Sequence, residues 1–100
     1  MSDRAQADFH FRLFITGATP HSTLAVKNIT AICDKYLPGR FKLEIIDVYQ
    51  QPHLAEPEGI IAAPTLVKLQ PLPQQRLIGD LSDLPKVLQV LDIVPPEGQD

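Results

Sequence analysis

The chain has no tryptophan and a single cysteine among its 100 residues. One thiol cannot close an internal disulfide, which excludes a disulfide-stapled scaffold and fits a reducing compartment. Four phenylalanines and two tyrosines leave no obvious platform on which bases could stack. The nine lysines and arginines are scattered and outnumbered by twelve carboxylates, giving a net charge of −3. Without a basic cluster, nucleic-acid binding is not expected. No stretch approaches the roughly 18 apolar residues that span a bilayer. The opening eight residues, Met1 to Asp8, are polar and lack the apolar segment of a signal peptide, so a cytoplasmic location is expected. Gly17 stands alone, with no Gly-Lys-Ser/Thr after it to cradle phosphate. His10, His21 and His53 do not repeat at metal-ligand spacing, so no metal or other cofactor is expected.

What is present is a globular composition, 44% hydrophobic and 21% charged. It predicts one domain over residues 1–100 with one core, and flexible tails at 1–8 and 95–100. Phe9, Phe11, Leu13 and Ile15 alternate with His10, Arg12, Phe14 and Thr16, the period-2 pattern of a strand. Thr19 can cap a helix that begins at Pro20, where a missing N–H does no harm. Ala25, Ile29, Ile32, Cys33 and Tyr36 then form one helical stripe, which Pro38-Gly39 ends. Phe41, Leu43 and Ile45 restart the strand pattern, with Lys42 and Glu44 facing away, and this strand runs on to Val48.

Two strands joined by a helix make a right-handed βαβ unit with parallel strands. Residues 50–55 predict a short helix with Pro52 in its first turn, and Glu56-Pro57-Glu58-Gly59 a loop. Residues 65–69 and 76–78 predict an antiparallel hairpin around the turn at 71–75. Gly79-Asp80 follows, then a helix capped by Ser82, with Leu84, Val87, Leu88 and Leu91 at i, i+3, i+4 and i+7. Pro95-Pro96 stops it.

The apolar run at 59–69 contains Pro64-Thr65, and a proline cannot donate a ladder hydrogen bond, so it must open the strand or lie on an edge. An apolar approach, a proline, a threonine and then a strand resembles the entry to the third strand of thioredoxin-like folds, which usually crosses a cis peptide. The fold class is therefore read as α/β: a single thioredoxin-like β-α-β-α-β-β-α domain with a mixed sheet, and a cis Ala63–Pro64 bond. In thioredoxins that proline faces a Cys-x-x-Cys pair at the N-terminus of the first helix, where a thiolate is stabilised. The corresponding stretch here, Thr16-Gly17-Ala18-Thr19-Pro20-His21-Ser22, holds no thiol. Ser22 is a poor substitute without an activating base and is read as capping or solvating the first turn. Cys33, on the apolar stripe, is read as an inert core residue. Asp47 and Asp80 are read as residues that hydrogen-bond turns.

The whole chain, from about Phe11 to Asp92, resembles the KaiB family of clock proteins. The matching strings are Gly17-Ala18-Thr19-Pro20-His21-Ser22, Ile46-Asp47-Val48, Pro52-His53-Leu54-Ala55-Glu56, Ala62-Ala63-Pro64-Thr65-Leu66, Ile78-Gly79-Asp80-Leu81-Ser82, Lys86-Val87-Leu88 and Leu91-Asp92. The sensory domain of the KaiC-binding histidine kinase shares the likeness. The resemblance implies a non-enzymatic binding protein that engages the hexameric ATPase KaiC and, in some systems, KaiA. It also implies fold switching: the first half stays β-α-β, while the second is either thioredoxin-like or repacked in a self-associated tetramer. That repacked ground-state fold is the alternative architecture, and a dimer or tetramer is the expected oligomer.

On this reading Tyr49, Gln51, His53, Glu56 and Glu58, in the short helix and its loop, are the partner-binding residues. Ala63, Pro64, Thr65, Gly79, Asp80, Val90 and Asp92 lie where the variable half is decided. Val90 departs from the glycine usual in the family, which favours helix there and biases the chain towards the thioredoxin-like form. Positions that often carry lysine or arginine in the family are Leu24, Glu44 and Gly59 here, which thins a basic docking surface. Two other function classes are alternatives: a thioredoxin- or peroxiredoxin-like oxidoreductase, opposed by the missing cysteine, and a scaffold or stress-associated protein that self-associates through its sheet edge.

Overall fold

The computed structural model describes residues 8–60 and 64–94. Seven elements follow in the order β1 (Phe9–Ile15), α1 (Pro20–Tyr36), β2 (Phe41–Asp47), α2 (Pro52–Ala55), β3 (Thr65–Gln70), β4 (Gln75–Ile78) and α3 (Leu84–Val90). The strands form one mixed sheet in the order β2-β1-β3-β4. β1 runs parallel to β2 and antiparallel to β3, and β3 and β4 make the antiparallel hairpin. The expected thioredoxin-like β-α-β-α-β-β-α architecture is the one observed.

Local chemistry explains the elements. Thr19, in extended conformation, accepts a hydrogen bond from the Ser22 N–H at 3.3 Å and sets the start of α1, with Pro20 following it. Ala25, Ile29, Ile32, Cys33 and Tyr36 are all buried, so the apolar stripe is the face α1 lays on the sheet. They join Phe9, Phe11, Leu13, Leu66 and Leu77 from the strands and Val87 and Leu91 from the α3 segment in the main core. A second, smaller core of Phe14, Ile46, Ala55 and Val67 lies on the opposite face, beneath α2.

Several sequence expectations shift. The central strand β1 is covered on both faces, so Phe14 is buried although it alternates with the main-core residues. β2 is an edge strand, and Ile45, expected inside, is 41% exposed while Ile46 is buried in the second core. β2 ends at Asp47, one residue before Val48, because the Asp47 carboxylate accepts the Tyr49 N–H at 2.9 Å and turns the chain. α2 begins at Pro52 rather than Gln50, since Gln50 and Gln51 donate to the Asp47 carbonyl and belong to that turn. α3 is capped by Asp83, whose side chain accepts the Lys86 N–H at 3.3 Å, and not by Ser82.

Pro64 is buried and stands immediately before β3, its carbonyl accepting from the Gly79 N–H at 2.9 Å. The Ala63–Pro64 bond involves a residue outside the described ones, as do the tail residues 1–7 and 95–100. The cis bonds among the described residues are Gln70–Pro71 and Leu72–Pro73, in the hairpin turn.

Candidate functional site

The segment after β2 builds a narrow ridge. α2 is only four residues long and buries one of them, Ala55, against Phe14, Ile46 and Val67. Leu54 and Ile60 add partial cover from the same segment. With one face anchored, the polar residues point outward: Tyr49 is 75% exposed, and Gln51, His53 and Glu56 are exposed too. Glu58 behaves differently. Arg76 on β4 donates to its carboxylate at 3.1 Å and also to its backbone carbonyl. Of the five expected partner-binding residues, four therefore share an open ridge, and Glu58 fastens that ridge to the sheet. Gly59 follows at φ +66, a conformation that side chains resist.

The expected fold-deciding residues fall into two groups. Thr65 is buried at the start of β3, beside Pro64. Gly79, at φ +123, lets the chain leave β4, and Asp80 then accepts the Ser82 N–H at 3.1 Å. That loop is tied to α1 by Asn28, whose amide donates to the Asp80 carbonyl at 2.8 Å, and His21 lies 3.7 Å from the Asp80 carboxylate. The hydrogen bonds from Ser82, chiefly, and the nearby His21 hold the Asp80 carboxyl below its ordinary range. Leu81 follows in the left-handed region at φ 65 yet is buried, so its side chain has been kept at a conformational cost of about 1 kcal/mol.

The second group closes α3. Asp92 sits at φ 58 just past the helix, the Ile93 N–H donates to the Leu88 carbonyl at 2.9 Å, and the Asp92 N–H donates to Gln89 at 3.3 Å. This is the Schellman ending with aspartate where glycine is usual. Val90, two residues earlier, packs partly buried against the main core. The Asp92 carboxylate lies 3.6 Å from the Lys68 ammonium, and Lys68 is fully buried with no hydrogen bond to its nitrogen among the described residues. Sequence reasoning missed Lys68. The signal was there: it has the parity of Leu66 in an apolar strand, and so points into the core with it.

Arg12, His10 and Glu44 form a second unanticipated group, across β1 and β2. Glu44 Oε1 accepts from Arg12 Nε at 2.7 Å and lies 3.1 Å from His10 Nε2. The hydrogen bond from Arg12, then that from His10, holds the Glu44 carboxyl below its ordinary value. Leu24 is exposed on α1.

At the thioredoxin active-site position, a shallow apolar groove of roughly 410 Å³ runs along Ile15, Ala18 and Val26. Ser22, which lines it, is fully buried rather than solvated, and its hydroxyl accepts the Thr16 N–H at 3.2 Å. Cys33 is completely buried, and burial, helped by Asp34, pushes its thiol up to about 12, so it stays protonated and unreactive at neutral pH. Among the described residues no group of three or more His, Cys, Asp and Glu could hold a metal ion. No helix of the described residues is long and apolar enough to cross a membrane.

Comparison with known proteins agrees with this geometry. The KaiB domain model matches residues 12–93. Circadian clock protein KaiB3 of Synechocystis sp. is 51% identical over 84 residues, covering 84% of this chain and 82% of the relative. The circadian clock oscillator protein KaiB of Synechococcus elongatus is 46% identical over 89 residues, covering 89% and 87%. Among solved structures, the N-terminal domain of Synechococcus elongatus SasA superposes with a TM-score of 0.62 at 31% identity, over 94% of this chain and 90% of that one. The Drosophila melanogaster thioredoxin Deadhead gives 0.69 at 18% identity over 90% and 84%, a likeness of fold alone. With a family model across most of its length and relatives near half identical, the chain belongs to the KaiB family of circadian clock proteins.

Proposed function

We propose that this chain is a non-enzymatic regulatory binding protein that docks on a KaiC-like hexameric ATPase through the α2 ridge, with KaiA as a second partner where a host has one. The observation that carries the reading is the set of exposed residues Tyr49, Gln51, His53 and Glu56 on and flanking a helix too short to hold itself. A four-residue helix gains little from its own hydrogen bonds, so its position depends on Ala55 beneath it and on the Glu58–Arg76 clamp. Polar and aromatic side chains held outward on a supported loop are suited to recognition. The thiol-free α1 terminus and the buried Cys33 support a binding role over thiol chemistry. Fold switching of the second half belongs to the same proposal: Gly79, Leu81 and Asp92 concentrate left-handed backbone there, with Val90 favouring the helical arrangement seen here.

Titration of a fluorescently labelled chain with a KaiC homologue tests the docking. Saturable binding is expected, weakened about tenfold or more by Tyr49→Ala, the removal of one exposed aromatic anchor. Absence of binding at high micromolar ATPase would contradict it. An insulin-reduction assay should show no turnover.

A further inference from the structure

β4 is an edge of the sheet, and its bonds to β3 determine which of its backbone groups face outward. The Gly79 N–H donates to the Pro64 carbonyl at 2.9 Å, and the register runs from Thr65 opposite Ile78 to Lys68 opposite Gln75. Bonded and non-bonded pairs alternate along an antiparallel ladder, so Leu77 and Gln75 turn their N–H and C=O towards β3. Arg76 and Ile78 therefore aim theirs away from the sheet. An outward row of this kind is a template for an added strand.

The two faces flank this row differently. Leu77 points into the main core, where α3 lies against β4. Between strand and helix opens a small groove of roughly 120 Å³, lined by Leu77, Leu81 and Val87 and, on the helix side, by Asp83 and Lys86. On the other face Ile78 is 69% exposed. Arg76, also on that face, makes both of its bonds to Glu58 through Nη2, which leaves Nη1 and Nε to take a second carboxylate. A strand edge with a helix beside it and a groove between them is an arrangement to which extended peptides add.

We propose that β4 takes up an extended peptide segment of a protein partner as a further, antiparallel strand, whose side chains read apolar, small apolar, acidic from N- to C-terminus. Side chains directly opposite one another share a face of the sheet. In the antiparallel direction, the more stable of the two per residue, the first peptide residue lies opposite Ile78 and covers it. The second lies opposite Leu77 and enters the groove, whose size suits alanine or valine and not an aromatic ring. The third lies opposite Arg76, where a carboxylate meets the guanidinium. The first and third exchange backbone hydrogen bonds with Ile78 and Arg76, while the second turns its own N–H and C=O to solvent. None of Tyr49, Gln51, His53 and Glu56 takes part, so the pairing stands apart from docking on the α2 ridge and its test needs no ATPase.

Fluorescence anisotropy of a labelled peptide, Thr-Ile-Val-Glu-Thr, titrated with the full chain tests it. So short an edge offers few backbone groups, and saturable binding with a Kd on the order of 100 μM is expected. Methylating the backbone nitrogen of the isoleucine or of the glutamate, both turned towards β4, should weaken binding about tenfold or more. Methylating that of the valine, turned to solvent, should leave it nearly unchanged. Arg76→Glu, checked for folding by circular dichroism, should also weaken binding about tenfold or more and should prefer Thr-Ile-Val-Lys-Thr. The methylation series uses the wild type, so it decides the matter even where that variant fails to fold. Absence of saturation at millimolar chain overturns the proposal, as does equal loss from all three methylations. A reversed peptide, Thr-Glu-Val-Ile-Thr, that binds as well, or a folded Arg76→Glu chain with unchanged preference, overturns it too.

Discussion

The two halves of the chain are built to different standards of local consistency. In the first, α1 runs seventeen residues from the Thr19 cap to Tyr36, and six of its residues are buried. In the second, α2 has four residues and α3 has seven, each burying a single residue within its span. Left-handed backbone at residues other than glycine falls in the second half among the described residues, at Leu81 and Asp92. Lys68, a buried ammonium without a hydrogen-bond partner among the described residues, lies there as well. The first half is a self-supporting frame. Beyond the core packing of Leu66, Leu77, Val87 and Leu91, the second is tied down by the Glu58–Arg76 clamp and by Asn28 on the Asp80 carbonyl. The residues proposed for docking lie in this loosely tied half, as expected where binding needs a surface that can rearrange.

The sharpest way to probe the frame is Ile29→Ala, which opens a cavity in fully buried α1 packing and should cost about 2–5 kcal/mol in urea unfolding. In the second half the expected sign reverses at Lys68. Its ammonium is desolvated, while Asp92 is 59% exposed and tolerates losing its partner. Lys68→Met should therefore stabilise the fold, by about 1–4 kcal/mol if the pair behaves like other buried pairs replaced by apolar residues. Destabilisation on the same measurement would mean that the ion pair outweighs its desolvation. Val90→Gly should cost about 1 kcal/mol of helix stability and shift NMR signals of residues 65–92 towards a second form. An unchanged spectrum would show that Val90 does not bias the fold.

The smallest effect is expected at Glu44, on the edge of the frame. Its folded carboxyl titrates below its ordinary value of 4.5, chiefly through the Arg12 hydrogen bond. A depressed acid adds stability that is fully present above its unfolded value and is lost as pH falls through the folded one. Wild type should thus lose stability below about pH 4.5 more steeply than Arg12→Gln, read as urea midpoints across that range. Parallel slopes would show that the bridge is too solvent-screened to matter.

How much of this was legible in the sequence also divides by half. β1, α1 and β2 were readable because each has a long enough period to outvote its exceptions, and because Thr19-Pro20 and Pro38-Gly39 punctuate α1 chemically. The exceptions, Phe14 buried and Ile45 exposed, arise from the position of each strand in the sheet, which a single strand's alternation does not record. In the second half the short elements leave too few residues for periodicity to decide, and neighbouring candidates such as Ser82 and Asp83 compete for one cap. The α2 ridge was legible as polar residues in a loop. Its fastening by Arg76 was not, because it joins residues 18 apart through a tertiary contact. The Arg12–His10–Glu44 group likewise depends on the β1–β2 register.

Residue-resolved native-state hydrogen exchange compares the halves most directly. The buried amides of α1, such as Ile29 and Cys33, should exchange only through global unfolding. Those of β4 and α3, such as Leu77 and Leu88, should exchange through a separate opening at least tenfold more frequent, with a weaker dependence on urea. Equal protection and equal urea dependence in both halves would contradict the division between a rigid frame and a loosely tied, partner-facing half.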